Sequence, residues 1–134
     1  MNVQFQDLEK DDNPRNGESF ANPEELLDLL DELRSSRPPF MCELVGNNGF
    51  TLTVGIGGDT GCVQHAPSDG TPPYLMAIDP TTGKSTVEEM EFVVGGTATP
   101  IDGRYCLPFA TVKDVVAEFA VSGNRSAAVN WEEF

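Results

Sequence analysis

The sequence predicts an α+β fold, an antiparallel sheet of about five to seven strands with two helices packed on one face. Three observations predict it. Segments following Asn22 and Thr111 repeat apolar residues at helical spacing, and the stretch between them alternates apolar with polar residues at a period of two. Glycine and proline punctuate nearly every junction in that stretch. Strands grouped between two helices, rather than alternating with them, place the helices together on one side of an antiparallel sheet.

A chain of 134 residues has room for one domain, which buries about two thirds of its unfolded surface. Residues 2–5 read as a short strand. Residues 6–21 are rich in Asp, Asn, Glu and Gly and too poor in apolar residues to fold alone, so they read as a polar loop. Residues 1–21 therefore precede a single α+β domain over 22–134. Its first helix has Asn22 as cap, Pro23 in the first position and Glu25 where a capping box wants a carboxylate. Leu26, Leu29, Leu30 and Leu33 form its apolar stripe, and Arg34 to Pro39 supply a basic end and a stop.

Strands are expected at 40–45, 50–56, 61–65, 74–78 and 88–94. In the second, Phe50, Leu52, Val54 and Ile56 alternate with Thr51, Thr53 and Gly55; in the last, Met90, Phe92 and Val94 alternate with Glu89, Glu91 and Val93. Such alternation gives a sheet one dry face and one wetter face. Asn47-Asn48-Gly49 and Asp79-Pro80-Thr81-Thr82-Gly83 carry turn chemistry. Residues 97–108, interrupted by Pro100, Asp102-Gly103 and Pro108, suggest a short strand pair at an edge. Thr111 then caps a second helix whose stripe is Val112, Val115, Val116 and Phe119, with Lys113 and Asp114 outward and Gly123 at its close. Residues 128–134 read as a terminal strand against the sheet.

Twenty-two Asp and Glu against eight Lys and Arg give a net charge of −14. That balance repels phosphate backbones and anionic membranes, so the natural partner is a basic one, although strong charge also serves solubility alone. No apolar run approaches the length of a membrane span. The N-terminus lacks the basic and apolar regions of a secretory signal, and a cytoplasmic location is expected.

The inventory for catalysis is thin. His65 is the only histidine and has no Ser or Cys nucleophile motif beside it. Cys42, Cys62 and Cys106 are odd in number and lack paired spacing, which speaks for buried thiols rather than disulfides or a zinc site. Gly55-Ile56-Gly57-Gly58 follows a strand, but neither a helix nor a lysine follows it, and Asp59 would repel phosphate. Glu88, Glu89 and Glu91 are close in sequence, as an acid–base pair requires, yet clusters of this kind arise by chance among so many carboxylates. No catalytic residue, cofactor-binding residue or metal ligand is expected.

Several segments together resemble the Imm1 family of immunity proteins, found beside the toxins of bacterial polymorphic and contact-dependent systems. They are Pro23-Glu24-Glu25-Leu26, then Leu52-Thr53-Val54-Gly55-Ile56-Gly57-Gly58-Asp59, then Glu91-Phe92-Val93-Val94-Gly95-Gly96. Leu107-Pro108, Glu118-Phe119, Gly123 and Val129-Asn130-Trp131-Glu132-Glu133 complete a match that spans 22–134. The resemblance implies an inhibitor of a deaminase toxin, one that converts cytosine to uracil in DNA, bound tightly and one to one. Such a toxin carries a basic substrate groove and a zinc pocket for the flipped base, and an acidic protein competes for both. The family supplies no catalytic residues to transfer, and Trp131, Gly95 and Gly96 read as fold determinants, with Trp131 in the core.

If both helices cover one sheet face, the other is open to a partner. Thr51, Thr53, Glu89 and Glu91 would project there, joined by Gln64, with Asp59 and Asp69 in flanking loops. Two rival readings share parts of this pattern. One is an acidic mimic of nucleic acid directed at another basic protein; the other is a small hydrolase built on Glu88, Glu89 or Glu91, which needs an enclosed carboxylate of raised pKa.

Overall fold

The computed structural model describes residues 1–80 and 88–134, so residues 81–83 of the expected turn after Ile78 lie outside the description. The elements are β1 (Val3–Asp7), β2 (Ser19–Phe20), α1 (Pro23–Ser36), β3 (Phe40–Gly46), β4 (Phe50–Gly57), β5 (Thr60–Pro67), β6 (Leu75–Ile78), β7 (Glu89–Val94) and β8 (Thr97–Asp102). A single 3₁₀ turn, Gly103–Tyr105, leads to β9 (Leu107–Pro108), α2 (Phe109–Ser122) and β10 (Asn130–Glu133).

The strands run in the order β10-β6-β5-β4-β3-β1-β2, all antiparallel, with β9 added to one end of β5. The β7–β8 hairpin joins this sheet through a single parallel bridge, Phe40 to Val93. Ten strands among the described residues exceed the five to seven expected. Two of the additions, β2 and β9, are two residues long and exist only because a longer neighbour pairs with them.

Both helices pack on one face. Phe40, Cys42 and Leu44 of β3, Leu52, Val54 and Ile56 of β4, and Val3 and Phe5 of β1 meet the four leucines of α1 and the Val112, Val115, Val116 and Phe119 stripe of α2. Each such side chain, fully buried, contributes about 1.5–3 kcal/mol. Asn22 caps α1 by accepting the Glu24 N–H at 2.8 Å, and Gly123 ends α2 at φ 77°, a left-handed conformation that glycine takes without steric cost. Lys113 reaches across to Asp31 at 2.9 Å and ties the two helices together.

The start of α2 differs from expectation. The helix begins at Phe109, not after Thr111, and Pro108 at its cap offers no side-chain acceptor. Pairing of β9 with β5 brings the Asp59 carbonyl to the Phe109 N–H at 2.8 Å, so backbone rather than a threonine satisfies an orphan donor of the first turn. Trp131 also departs from the expected core position. It is half-buried on edge strand β10, packs against the rim of the core, and donates its indole N–H to the Ser126 carbonyl at 3.0 Å.

The N-terminal segment is organised by one buried carboxylate. Asp7, 2% exposed, pairs with the Arg37 guanidinium and accepts the Asn13 amide at 2.9 Å and the Glu9 and Lys10 N–H groups at 2.9 and 2.8 Å. Arg37 lies 3.6 Å over the Phe40 ring. Burial pushes the Asp7 pKa up, but the Arg37, Asn13, Lys10 and Glu9 hydrogen bonds outweigh it and hold the carboxyl below the usual range. Residues 8–18, polar by composition, thereby acquire a fixed path from Asp7 to β2.

Candidate functional site

The face away from the helices carries Met41, Glu43 and Val45 of β3, Thr51, Thr53, Gly55 and Gly57 of β4, Cys62, Gln64 and Ala66 of β5, and Met76 of β6, because residues opposite one another in the ladder share a face. This face is not wholly open. The β7–β8 hairpin folds across one half of it and buries Phe92 against Met41, Cys62 and Met76, with Met90, Val94 and Ile101 packed around them. Glycine at 55 and 57 makes the contact possible. A Cβ at Gly55 would stand 2.5 Å from the Cys62 sulfur and 2.8 Å from the Phe92 ring, and one at Gly57 would overlap the Met90 methyl.

The hairpin is held at its tip. Gly95 and Gly96, at φ 56° and 82°, form the two-residue connection between Val94 and Thr97, where a turn matched to strand twist needs positive φ at both positions. Their N–H groups donate to the Leu8 carbonyl at 2.9 Å and the Glu9 carboxylate at 2.8 Å. Leu8 in turn donates to the Met41 carbonyl at 3.0 Å, so the Asp7 segment braces the hairpin against the sheet.

Two contiguous depressions run from beneath the edge of the hairpin onto the uncovered half. A cleft of about 480 Å³ lies between sheet and hairpin; Met41, Cys62 and Met76 form its floor, Glu89 and Thr99 to Asp102 one wall, and Tyr105 and Phe134 another. Tyr105 and Phe134 meet edge to face at 5.8 Å. A shallower groove of about 250 Å³ runs on from it past Glu43, Val45, Thr51, Ala66, Ser68 and Tyr74. Thr53 and Gln64 line both and mark where they join. Asp102 accepts the Arg104 N–H at 2.9 Å, and Arg104 pairs with Glu132 at 2.7 Å. Among the described residues, Glu43 and Glu89 have neither a hydrogen-bond nor an ion-pair partner for their carboxylates.

The structure brings Thr51, Thr53, Gln64 and Glu89 together on this face. Thr51 shares a 2.8 Å hydrogen bond with Ser68, and Asp69 stands beside it in the loop after β5. The Thr71 hydroxyl and N–H, at 2.6 and 3.0 Å, hold the Asp69 carboxyl below the usual carboxylate range. Two predicted residues are elsewhere. Glu91 is exposed on the hairpin opposite Pro100, outside both depressions. Asp59 is at the β4–β5 turn beside α1, 3.9 Å from Arg34, with the length of β5 between it and Asp69. An eight-residue strand at about 3.3 Å per residue sets the two loops more than roughly 20 Å apart. Sequence reasoning missed Glu43, Met41, Met76, Tyr105 and Phe134; the signal for the covered half was the pair of glycines at alternate positions of β4.

Nucleophile chemistry gains no support from the geometry. Glu88, Glu89 and Glu91 are all exposed, and among the described residues no cluster of His, Cys, Asp and Glu is built to hold a metal. Burial pushes the Cys62 thiol up to about 12 and raises Cys42 further, which keeps both protonated. His65 is on the opposite, helix-bearing side, stacked on Phe50 at 4.8 Å and edge-on to Trp131 at 6.0 Å. Burial, with a smaller contribution from the Arg125 charge, lowers its pKa. No helix among the described residues is long and apolar enough to cross a membrane.

Residues 15–133 match the family model described as immunity protein Imm1. No curated protein gives a significant match to the chain.

Proposed function

The chain belongs to the Imm1 family of immunity proteins, and from that premise we propose that its partner is a zinc-dependent cytosine deaminase toxin acting on DNA, bound one to one in the cytoplasm. The toxin is inhibited by occlusion. Its substrate groove is basic because it must hold a phosphate backbone, and its pocket must admit a flipped base. A protein of net charge −14 is drawn to that groove and shuts out the nucleic acid once seated. The docking surface is the sheet face bearing Thr51, Thr53, Gln64 and Glu89, with Asp69 at its margin; the observation that supports this reading is the pair of contiguous depressions edged by the carboxylates of Glu43 and Glu89, which have no partner among the described residues.

The test uses the purified chain and the toxin domain encoded by the adjacent gene. Uracil formation in a DNA substrate should cease at one equivalent of the chain, and light scattering should give the mass of a one-to-one complex. A toxin that forms the complex but edits no base would keep the immunity function and refute the deaminase. Absence of any complex would refute the partner.

A further inference from the structure

Resting on the reading that a basic toxin docks on this face, we infer that the cleft between the β7–β8 hairpin and the sheet is an anchor socket. It takes one apolar side chain of the partner, aromatic or long aliphatic, carried on a segment whose lysines or arginines meet Glu43, Glu89 and Asp102.

The cleft's surfaces argue for an apolar occupant. The floor is Met41, Cys62 and Met76, and methionine adapts its shape to whatever side chain enters. Phe134, 70% exposed, stands at the mouth beside Tyr105, and an apolar cleft with a few polar groups at its margin is the form that binding pockets take. A volume of about 480 Å³ is in the range that encloses a whole aromatic group.

The rim argues for a basic carrier. Glu89 and Asp102 line the cleft and Glu43 the groove joined to it, while the whole chain carries −14, so a second copy of the chain and any nucleic acid are both repelled. The two features divide the work. Rim carboxylates speed the encounter, and a desolvated side chain in the socket slows departure.

Thr99→Trp tests the socket. Position 99 is on the cleft wall in β8, and an indole there fills the space that the partner's side chain would take, on a strand that tolerates tryptophan well. Binding to an inactivated form of the adjacent-gene toxin domain is measured by surface plasmon resonance, with thermal unfolding as the check on folding. The dissociation constant should rise about 30-fold or more, chiefly through faster dissociation, with the unfolding midpoint retained. Val121→Trp, on the exposed side of α2, should bind as the wild type does. Gln64→Trp fills the same space from the floor and serves if Thr99→Trp unfolds. In the wild-type complex the methyl resonances of Met41 and Met76 should shift. Unmoved methyls, or wild-type affinity in both tryptophan variants, would overturn the socket while leaving the immunity function standing. A wild-type chain that fails to bind the toxin would overturn both, and a dimer of the free chain abolished by Thr99→Trp would give the cleft to a second copy.

Discussion

Asp7→Ala should be strongly destabilising although it removes no apolar side chain. The lost carboxylate leaves the Arg37 guanidinium, its side chain 11% exposed, without its counter-charge over the Phe40 ring. It also releases the Asn13 amide and the Glu9 and Lys10 N–H groups. Removing one member of a buried ion pair costs about 3–5 kcal/mol. For a chain of this length each kcal/mol lowers the unfolding midpoint by about 3–4 °C, so calorimetry at pH 7 should show a fall of roughly 10–20 °C. The pH dependence follows from the depressed pKa. A carboxyl whose folded value lies below its unfolded 3.8 contributes stability that is complete above the unfolded value and lost as pH falls through the folded one. The gap between wild type and Asp7→Ala should therefore be full at neutral pH and close below about pH 4. Adding Arg37→Ala should cost less than the sum of the single changes by about 1–3 kcal/mol, because it removes the stranded charge. A cost under 1 kcal/mol, a gap indifferent to acid, or strict additivity would each refute the reasoning.

Gly55→Ala should destabilise by about 1–3 kcal/mol in urea denaturation, since its methyl must displace Cys62 or the Phe92 ring, and it should weaken toxin binding by shifting the hairpin. His65, the only histidine, gives an unambiguous proton resonance, and its titration midpoint should lie below 6.5. Its contribution to stability is complete above the unfolded value and lost as pH falls through the folded one, so wild type should weaken on acidification below about pH 6.5 and His65→Phe should lose that part of the slope. Glu89→Lys, in the cleft wall, should weaken toxin binding about 10- to 100-fold, from about 1–3 kcal/mol per charged hydrogen bond. Glu91→Lys should cost less, and Glu24→Lys with Asp28→Lys on the exposed side of α1 should slow association alone; equal losses in all three would place the toxin elsewhere.

What the sequence disclosed was what repeats locally. The leucine and valine stripes, the Asn22 cap, the Gly123 close and the alternation along β4 each depend on neighbours within a few residues, and each is present in the structure. Pairings across long separations left no such trace. Asp7 finds Arg37 thirty residues on, and nothing in a polar run announces which of its carboxylates will be buried. The alternation of Met90, Phe92 and Val94 shows that β7 has an apolar side but not what that side covers, so alternation alone puts Glu91 beside Thr51, whereas the fold of the hairpin sets it apart. The missing second half of that information was in β4, whose glycines at 55 and 57 are the imprint of Phe92 and Met90.

The position of Phe134 bears on how binding is to be measured at all. Its N–H donates to the Tyr74 carbonyl at 2.8 Å and its ring forms one lip of the cleft, so an affinity tag or fluorophore joined after it starts at the mouth of the cleft. Met1 lies on the other side, close to Gly123 at the end of α2. A pull-down with a fusion joined after residue 134 should therefore report a weaker complex than one with the same fusion joined before residue 1, the arrangement that leaves the sheet face clear.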